Sequence, residues 1–388
     1  MNDSTSFTGH FAFIFSQRAS RVLFLALSGV FTMLAILLTG TAGSAQTAAE
    51  RIGVGPIASI SSPGQVQAMK QLAPGVGWVL QQTHLYWTED NGQDWADITP
   101  RDTQQQVSNV FFLNEQEGWA FLYERNLSGE LTSISLASTR NAGNTWKISV
   151  IGEDEFKIPP GFAGPTSMFF VDSQHGWIVL RLTSSSAFSI GLMLKTEDGG
   201  ITWSELQPPP SAGAILFTTA QDGWMVGGPA GDVIWATRDG GKTWKEKTAP
   251  VSEIKDACHT SYRLQDSSIT QEVRLTATMA CSDHSYLLDY TLRTEDGSWQ
   301  LRGRNGQEVS SRTTAISSFS GADAIHVSTS PNGVATIQAP EGTTSLVLPV
   351  GAWPEGSITQ ATFSDNNNGW MLYSAGKCEE PRNLLKFA

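Results

Sequence analysis

The sequence predicts an all-β fold, a seven-bladed β-propeller, with six or eight blades as the alternatives. Three observations carry that expectation. An octapeptide of turn-forming residues ending in tryptophan returns along the chain. A Gly-Trp dipeptide stands 17–27 residues before the tryptophan of each full copy. Between these markers the chain reads as short apolar runs, with no sustained 3.6-residue period. The dipeptide tryptophans are Trp78, Trp119, Trp177, Trp224 and Trp370, and in two units without the dipeptide its place falls near Val273 and Ile325. Seven positions from 78 to 370 make six steps over 292 residues, about 49 per unit. Four-stranded propeller blades repeat at about 40–50 residues.

The octapeptide follows Ser/Thr-x-Asp-x-Gly-x-Thr-Trp. Its copies are Thr88-Glu-Asp90-Asn-Gly92-Gln-Asp94-Trp95, Thr139-Arg-Asn141-Ala-Gly143-Asn-Thr145-Trp146, Thr196-Glu-Asp198-Gly-Gly200-Ile-Thr202-Trp203 and Thr237-Arg-Asp239-Gly-Gly241-Lys-Thr243-Trp244. A shortened copy, Thr294-Glu-Asp296-Gly-Ser-Trp299, is the fifth. These residues suit a hairpin turn between the third and outer strands of a blade. The Asp, or Asn141, accepts N–H groups one or two residues on. The Gly takes a positive φ. The Trp returns inward and buries its ring, with Trp87 and Trp235 expected beside it. Each Asp is thus assigned to its own turn and none to catalysis.

Residues 1–45 read as a targeting segment and residues 46–388 as one propeller. The blades fall at about 62–100, 107–151, 165–208, 212–250, 251–304, 311–350 and 355–388 plus 51–61. In the second blade the strands are expected at Val107–Leu113, Gly118–Tyr123, Ser133–Ser138 and Trp146–Val150. The sixth keeps the plan without the markers: Thr314–Phe319, Ala324–Ser328, Val334–Gln338 and Ser345–Pro349. The seventh supplies three strands, the last at Asn383–Ala388, and the apolar run Ile52–Ser61 is expected to complete it, leaving no open edge.

Arg18 and Arg21 precede an apolar run from Val22 to Leu38, and Gly43-Ser44-Ala45 offers a cleavage site before Gln46. That is the layout of a secretory signal, and the run is also just long enough to span a bilayer. A cleaved signal peptide and an uncleaved transmembrane anchor both remain open. In either case the body is exported, periplasmic or extracellular, and meets the membrane only through this segment. A formal net charge of −12, with no Lys/Arg block, argues against nucleic-acid binding. A monomer is expected, with no cofactor and no metal.

The octapeptide resembles the Asp-box, or bacterial neuraminidase repeat. Four copies match closely and one is shortened. The resemblance implies a β-propeller of the sialidase and sortilin group, in style like the photosystem II assembly-factor-like proteins. Only some relatives are enzymes, so the fold leaves the activity open. Sialidases carry a Phe/Tyr-Arg-Ile-Pro motif. Phe156-Lys157-Ile158-Pro159 departs from it in residue and in place, and Lys lacks the bidentate fork for a carboxylate. Other glycosidases need two carboxylates about 5–9 Å apart. The loop candidates are Asp154, Glu155, Asp172, Asp222, Asp256 and Asp365, of which Asp172, Asp222 and Asp365 recur in equivalent turns.

A hairpin joining Asp256–Leu264 to Gln271–Cys281 would set Cys258 opposite residue 277, about four residues from Cys281. That register disfavours both a disulfide and a zinc site built from Cys258, His259, Cys281 and His284, and leaves Cys378 unpaired. His84 and His175 read as surface residues. The expected function is a non-enzymatic exported scaffold that docks a protein or a glycan. Its face would be built by the insertions Asn126–Thr132, Gly152–Gly164, Thr183–Ser189 and Leu301–Ser311. Trp353 and Tyr262 are the candidate aromatics of a ligand face. The alternative is a glycoside hydrolase with carboxylates at the channel mouth.

Overall fold

The computed structural model describes residues 9–16, 53–56, 66–101, 103–127, 131–151, 162–182, 190–250, 258–265, 273–282, 284–293, 298–308, 315–320, 323–329, 334–339, 342–347, 357–365 and 368–375. The chain starts with β1 (Gly9–Ser16) and β2 (Gly53–Pro56). The first sheet is β3 (Val66–Ala73), β4 (Val76–Gln81), β5 (His84–Thr88) and β6 (Ala96–Asp97). The second is β7 (Gln106–Phe112), β8 (Gly118–Arg125), β9 (Leu131–Thr139) and β10 (Lys147–Val150). The third is β11 (Phe162–Phe170), β12 (Gly176–Leu182), β13 (Ile190–Thr196) and β14 (Ser204–Glu205). The fourth is β15 (Ala214–Phe217), β16 (Gly223–Gly227), β17 (Val233–Thr237) and β18 (Lys245–Lys247). The fifth is β19 (His259–Gln265), β20 (Arg274–Ala280), β21 (His284–Leu292) and β22 (Trp299–Glu308). The sixth is β23 (Ala315–Ser320), β24 (Asp323–Thr329), β25 (Val334–Ala339) and β26 (Gly342–Val347). Last come β27 (Ser357–Asp365) and β28 (Asn368–Ala375), which pair with the N-terminal strands in the order β27-β28-β1-β2.

The fold is an all-β propeller. The described strands form seven four-stranded antiparallel sheets. The first strands of successive sheets approach one another, β7 with β11, β11 with β15, β15 with β19, β23 with β27 and β27 with β3. A second strand is covered by neighbours on both faces, so it reads as an unbroken apolar run rather than an alternation. Gly176–Leu182 (GWIVLRL) is buried over its first five residues, as is Gly118–Arg125. The outer strands β6, β14 and β18 are short and exposed.

Where it occurs, the Gly-Trp dipeptide joins its sheet to the next. Its glycine pairs with a phenylalanine on the first strand: Phe112 with Gly118, Phe170 with Gly176, Phe217 with Gly223 and Phe363 with Gly369. Each ring lies over its glycine, where a Cβ would meet it at 2.3–2.5 Å. The tryptophan reaches into the following sheet and stacks on that sheet's phenylalanine. Trp119 lies 3.7 Å from Phe170 and Trp177 lies 3.5 Å from Phe217, each nearly parallel. The octapeptide tryptophan closes on the same ring edge-on, as Trp203 does on Phe170 and Trp244 on Phe217.

The seam from the first sheet to the second is tilted instead. Trp78 lies 6.5 Å from Phe112, and Trp87, paired across the strands with Trp78, takes the near position at 5.1 Å. Trp87 therefore packs toward the second sheet, while Trp95 faces Trp370 of the last sheet. The two do not sit side by side as the sequence suggested. Trp235 does share a cluster with Trp244.

Two further expectations change. Residues 301–308 do not form an insertion. They belong to β22, a ten-residue strand paired along all of β21, whose length gives it a full-length partner. The last sheet takes Gly9–Ser16 as its third strand and Gly53–Pro56 as its outermost. The GHFAFIFS run has strong strand propensity, although it falls within residues 1–45, expected to be a targeting segment. The expected strand Asn383–Ala388 lies outside the described residues.

Gly176→Ala, which puts a methyl group into the Phe170 ring, should lower stability by about 1–3 kcal/mol. The urea midpoint at constant slope measures it.

Candidate functional site

The octapeptide turns have one repeated geometry. In the third sheet the Thr196 hydroxyl donates to Asp198 Oδ1 at 2.8 Å and accepts the Gly200 N–H at 2.8 Å. Asp198 in turn accepts the Thr202 N–H at 2.9 Å and the Thr202 hydroxyl at 2.6 Å. Asp239 repeats this with Thr237 and Thr243, and Asp90 with Thr88 and the Asp94 N–H. Asn141 keeps it, its Oδ1 accepting the Thr145 N–H at 2.9 Å. The carboxylate thus reaches four residues on, across the loop, rather than the one or two expected from a simple Asx turn. Two successive residues are left-handed, Asn91 with Gly92, Ala142 with Gly143, Gly199 with Gly200 and Gly240 with Gly241. This double turn carries the chain back within eight residues.

The turn is also the acceptor for the preceding sheet. Trp119 Nε1 donates to the Gly199 carbonyl and Trp177 Nε1 to the Gly240 carbonyl, both at 2.9 Å. Trp370 Nε1 donates to Asn91 Oδ1 at 3.2 Å, joining the last sheet to the first. The shortened fifth copy keeps part of this: Trp299 lies edge-on to Trp224 at 5.5 Å. Asp296 lies outside the described residues.

The loop carboxylates are occupied in the same manner. Asp172 Oδ1 accepts the N–H groups of Gln174 and His175 at 2.8 and 2.7 Å, and the imidazole of His175 lies 2.8 Å from Oδ2. Asn114 fills the equivalent place in the second sheet. In the fourth sheet Thr219 caps the turn and bonds Asp222. Partial burial alone would raise the pKa of Asp172, Asp198 and Asp239, but the hydrogen bonds to their carboxylates outweigh it and hold all three low. Asp90 is held low chiefly by the Asp94 N–H, and Glu197 by Lys195 at 2.6 Å. Of the other candidates, Asp154, Glu155 and Asp256, the Phe156–Pro159 motif, Trp353 and Cys378 lie outside the described residues. So does the side chain of Asp365.

Tyr262 is half-buried against the cluster between the fourth and fifth sheets, with its phenol pushed up by burial and by Asp232. His84 and His175 are surface residues beside Asp97 and Asp172. Cys258 and Cys281 form a disulfide with Cα atoms 4.3 Å apart. The β19–β20 register pairs His259 with Ala280, which brings Cys258 opposite Cys281. The sequence-based register was off by four residues because the turn lies later in the hairpin, and the disulfide rules out those sulfurs as thiolate zinc ligands.

Sequence reasoning missed one set of residues. Arg274, Asp289 and His326 are buried together where the fifth sheet meets the sixth. The signal in the sequence was weak: β20, β21 and β24 mix apolar residues with other polar ones, so these three do not stand out. The described site chemistry is that of turns and seams.

No family model matches the sequence, and no curated relative does. Solved structures share the chain path. YCF48 bound to D1 peptide has a TM-score of 0.49 at 14% identity, covering 81% of this chain and 92% of that one. YCF48 from Cyanidioschyzon merolae has 0.45 at 14%, covering 81% and 95%. The GH74 xyloglucanase from Xanthomonas campestris has 0.47 at 10%, covering 81% of this chain and 51% of its own. At these values none of them assigns a ligand or a reaction.

Asp198 has a folded-state pKa below its unfolded value, so its contribution is full above about pH 4 and is lost as pH falls through the lower folded value. Asp198→Asn should cost under about 0.5 kcal/mol at pH 7 and weaken the acid loss below pH 4, whereas Asp198→Ala should cost about 1 kcal/mol at pH 7. Urea midpoints at pH 7 and pH 3 check both.

Proposed function

We propose that the chain is an exported, non-enzymatic scaffold, a seven-bladed propeller built on Asp-box turns, that docks a protein partner on the face opposite those turns. The observation that carries the reading is the state of the carboxylates. The turn carboxylates Asp90, Asp172, Asp198 and Asp239 are each held low by hydrogen bonds within their own turn, whereas a glycosidase needs a carboxyl raised to act as an acid. In an antiparallel meander the connections from second to third strands leave the end opposite the octapeptide turns. That end holds Glu124, Arg125, the fully exposed Leu127, and the Cys258–Cys281 disulfide. Loops on a rigid ring are suited to docking, and the disulfide fits an oxidising compartment outside the cytoplasm.

Export bears on the last sheet. Gly9–Ser16 and Gly53–Pro56 share one sheet, so residues 22–38 cannot cross a membrane once while both strands stay paired. If the targeting reading is right, residues 51–61 close the ring without β1. A chain starting at Gln46 should then melt within about 2 °C of the full-length protein, whereas β1 acting as a structural strand would lower its midpoint by several degrees.

A photo-crosslinker at Glu124 or Ser282 should give discrete protein adducts in the exporting cell, and one at Asn144 or Lys242, on the octapeptide face, should give none. Turnover of any aryl glycoside in a panel by the purified protein would exclude the scaffold reading.

A further inference from the structure

Apolar clusters fill five seams of the ring: first to second, second to third, third to fourth, fourth to fifth, and last to first. Between the fifth and sixth sheets the described residues include buried polar and ionisable side chains. On β20 and β21, Leu275, Ala277 and Leu288 face the fourth sheet. The alternate residues Arg274, Thr276, Asp289 and Thr291 face the sixth and are as fully buried. Thr276 donates its hydroxyl to Asp289 Oδ1 at 2.6 Å. His326 of β24, 7% exposed, sets Nε2 at 3.3 Å from Asp289 Oδ2. The interaction spans the two sheets.

This geometry fits a neutral imidazole. Nε2 stands at ion-pair distance from Asp289 Oδ2, and Nδ1 has no hydrogen-bond partner among the described residues. A second proton on Nδ1 would be buried unpaired, on a side of the fifth sheet that already buries the guanidinium of Arg274. The other charged groups facing the joint add to that. Arg302 of β22 donates Nε to Thr291 at 2.8 Å. Across β23 and β25 the neighbours of His326 are Ser317 and Gln338, which do not titrate. Packed behind β24, β27 carries one titratable residue, Asp365, at its far end. Burial lowers the His326 pKa below the ordinary histidine value and outweighs the opposing pull of Asp289.

We propose that the seam between the fifth and sixth sheets is an acid-sensitive joint of the ring, opening locally when His326 takes up a proton while the aromatic seams stay closed. The sign follows from linkage. With a folded-state value below the unfolded one, the stability held by neutral His326 is complete above about pH 6.5 and declines as pH falls below it.

Hydrogen exchange of the full chain, corrected for intrinsic rate, tests this at pH 7.5 and 5.5. Opening of β21 and β24 should rise at the lower pH by up to about tenfold relative to β8 and β12. His326→Gln keeps a polar side chain at this position but cannot be protonated, and should abolish that difference. An equal rise in all sheets, or an unchanged rise in His326→Gln, overturns the proposal. If the variant does not fold, the wild-type imidazole titration followed by NMR decides. A midpoint below about 6.5 supports the joint and one at or above it overturns it.

Discussion

The ring rests on a handover between neighbouring sheets. A tryptophan from one sheet stacks on a phenylalanine of the next and donates its indole N–H to the tight turn beyond. Trp119 does this with Phe170 and Gly199, and Trp177 with Phe217 and Gly240. Each part constrains the others. The phenylalanine lies flat only because a glycine faces it across the strands. The acceptor carbonyl points at the indole only because the turn holds two left-handed residues in succession. The turn holds that shape because a threonine and a carboxylate bind its backbone from inside. Burial of the rings supplies the bulk of the energy, while the hydrogen bond fixes the angle between sheets.

Where parts of this unit are missing, the chain substitutes. At the first seam Trp87 fills the space left by a tilted Trp78. In the first sheet the phenylalanine position is Gln71, paired with Gly77 and buried, and the rings of Trp95 and Trp370 meet beside it. The fifth sheet lacks the Gly-Trp dipeptide and has a shortened turn, but gains a disulfide at the opposite end. On the side of the fifth sheet facing the sixth, the described residues include buried ionisable groups, which are costly to desolvate and depend on exact pairing. Strength is thus unevenly distributed around the ring.

Much of the architecture was legible because markers of this kind are local. Gly-Trp and the octapeptide give strand ends within a residue or two: β7 to β10 fall at Gln106–Phe112, Gly118–Arg125, Leu131–Thr139 and Lys147–Val150, close to the expected spans. What could not be read was non-local. The Cys258–Cys281 bridge depends on where one hairpin turns, and a displacement of four residues reverses the conclusion. The partnership of Asp289 with His326 depends on the angle between two sheets, which no spacing encodes. Residues 301–308 looked like an insertion because an outer strand has one solvent face and so weak patterning. The direction of Trp87 was decided by the parity of a single position on a strand. The candidate ligand face stayed obscure for a related reason: loops on a ring carry no pattern imposed by packing.

The contact between Trp370 and Asn91 joins residues 279 apart in sequence, and that between Gln360 and the Met69 carbonyl joins residues 291 apart. Every other handover described here links adjacent sheets and can form as soon as both exist. This one must wait for nearly the whole chain, and it meets the full loop-closure entropy. Until then the first and last sheets each present an uncovered apolar face, with Trp95 on one and Trp370 on the other. The partly assembled molecule is therefore an open arc with two sticky ends that match each other. At high concentration the ends of different molecules can find one another first, so the same contact that completes the ring offers a route to linear, head-to-tail assembly.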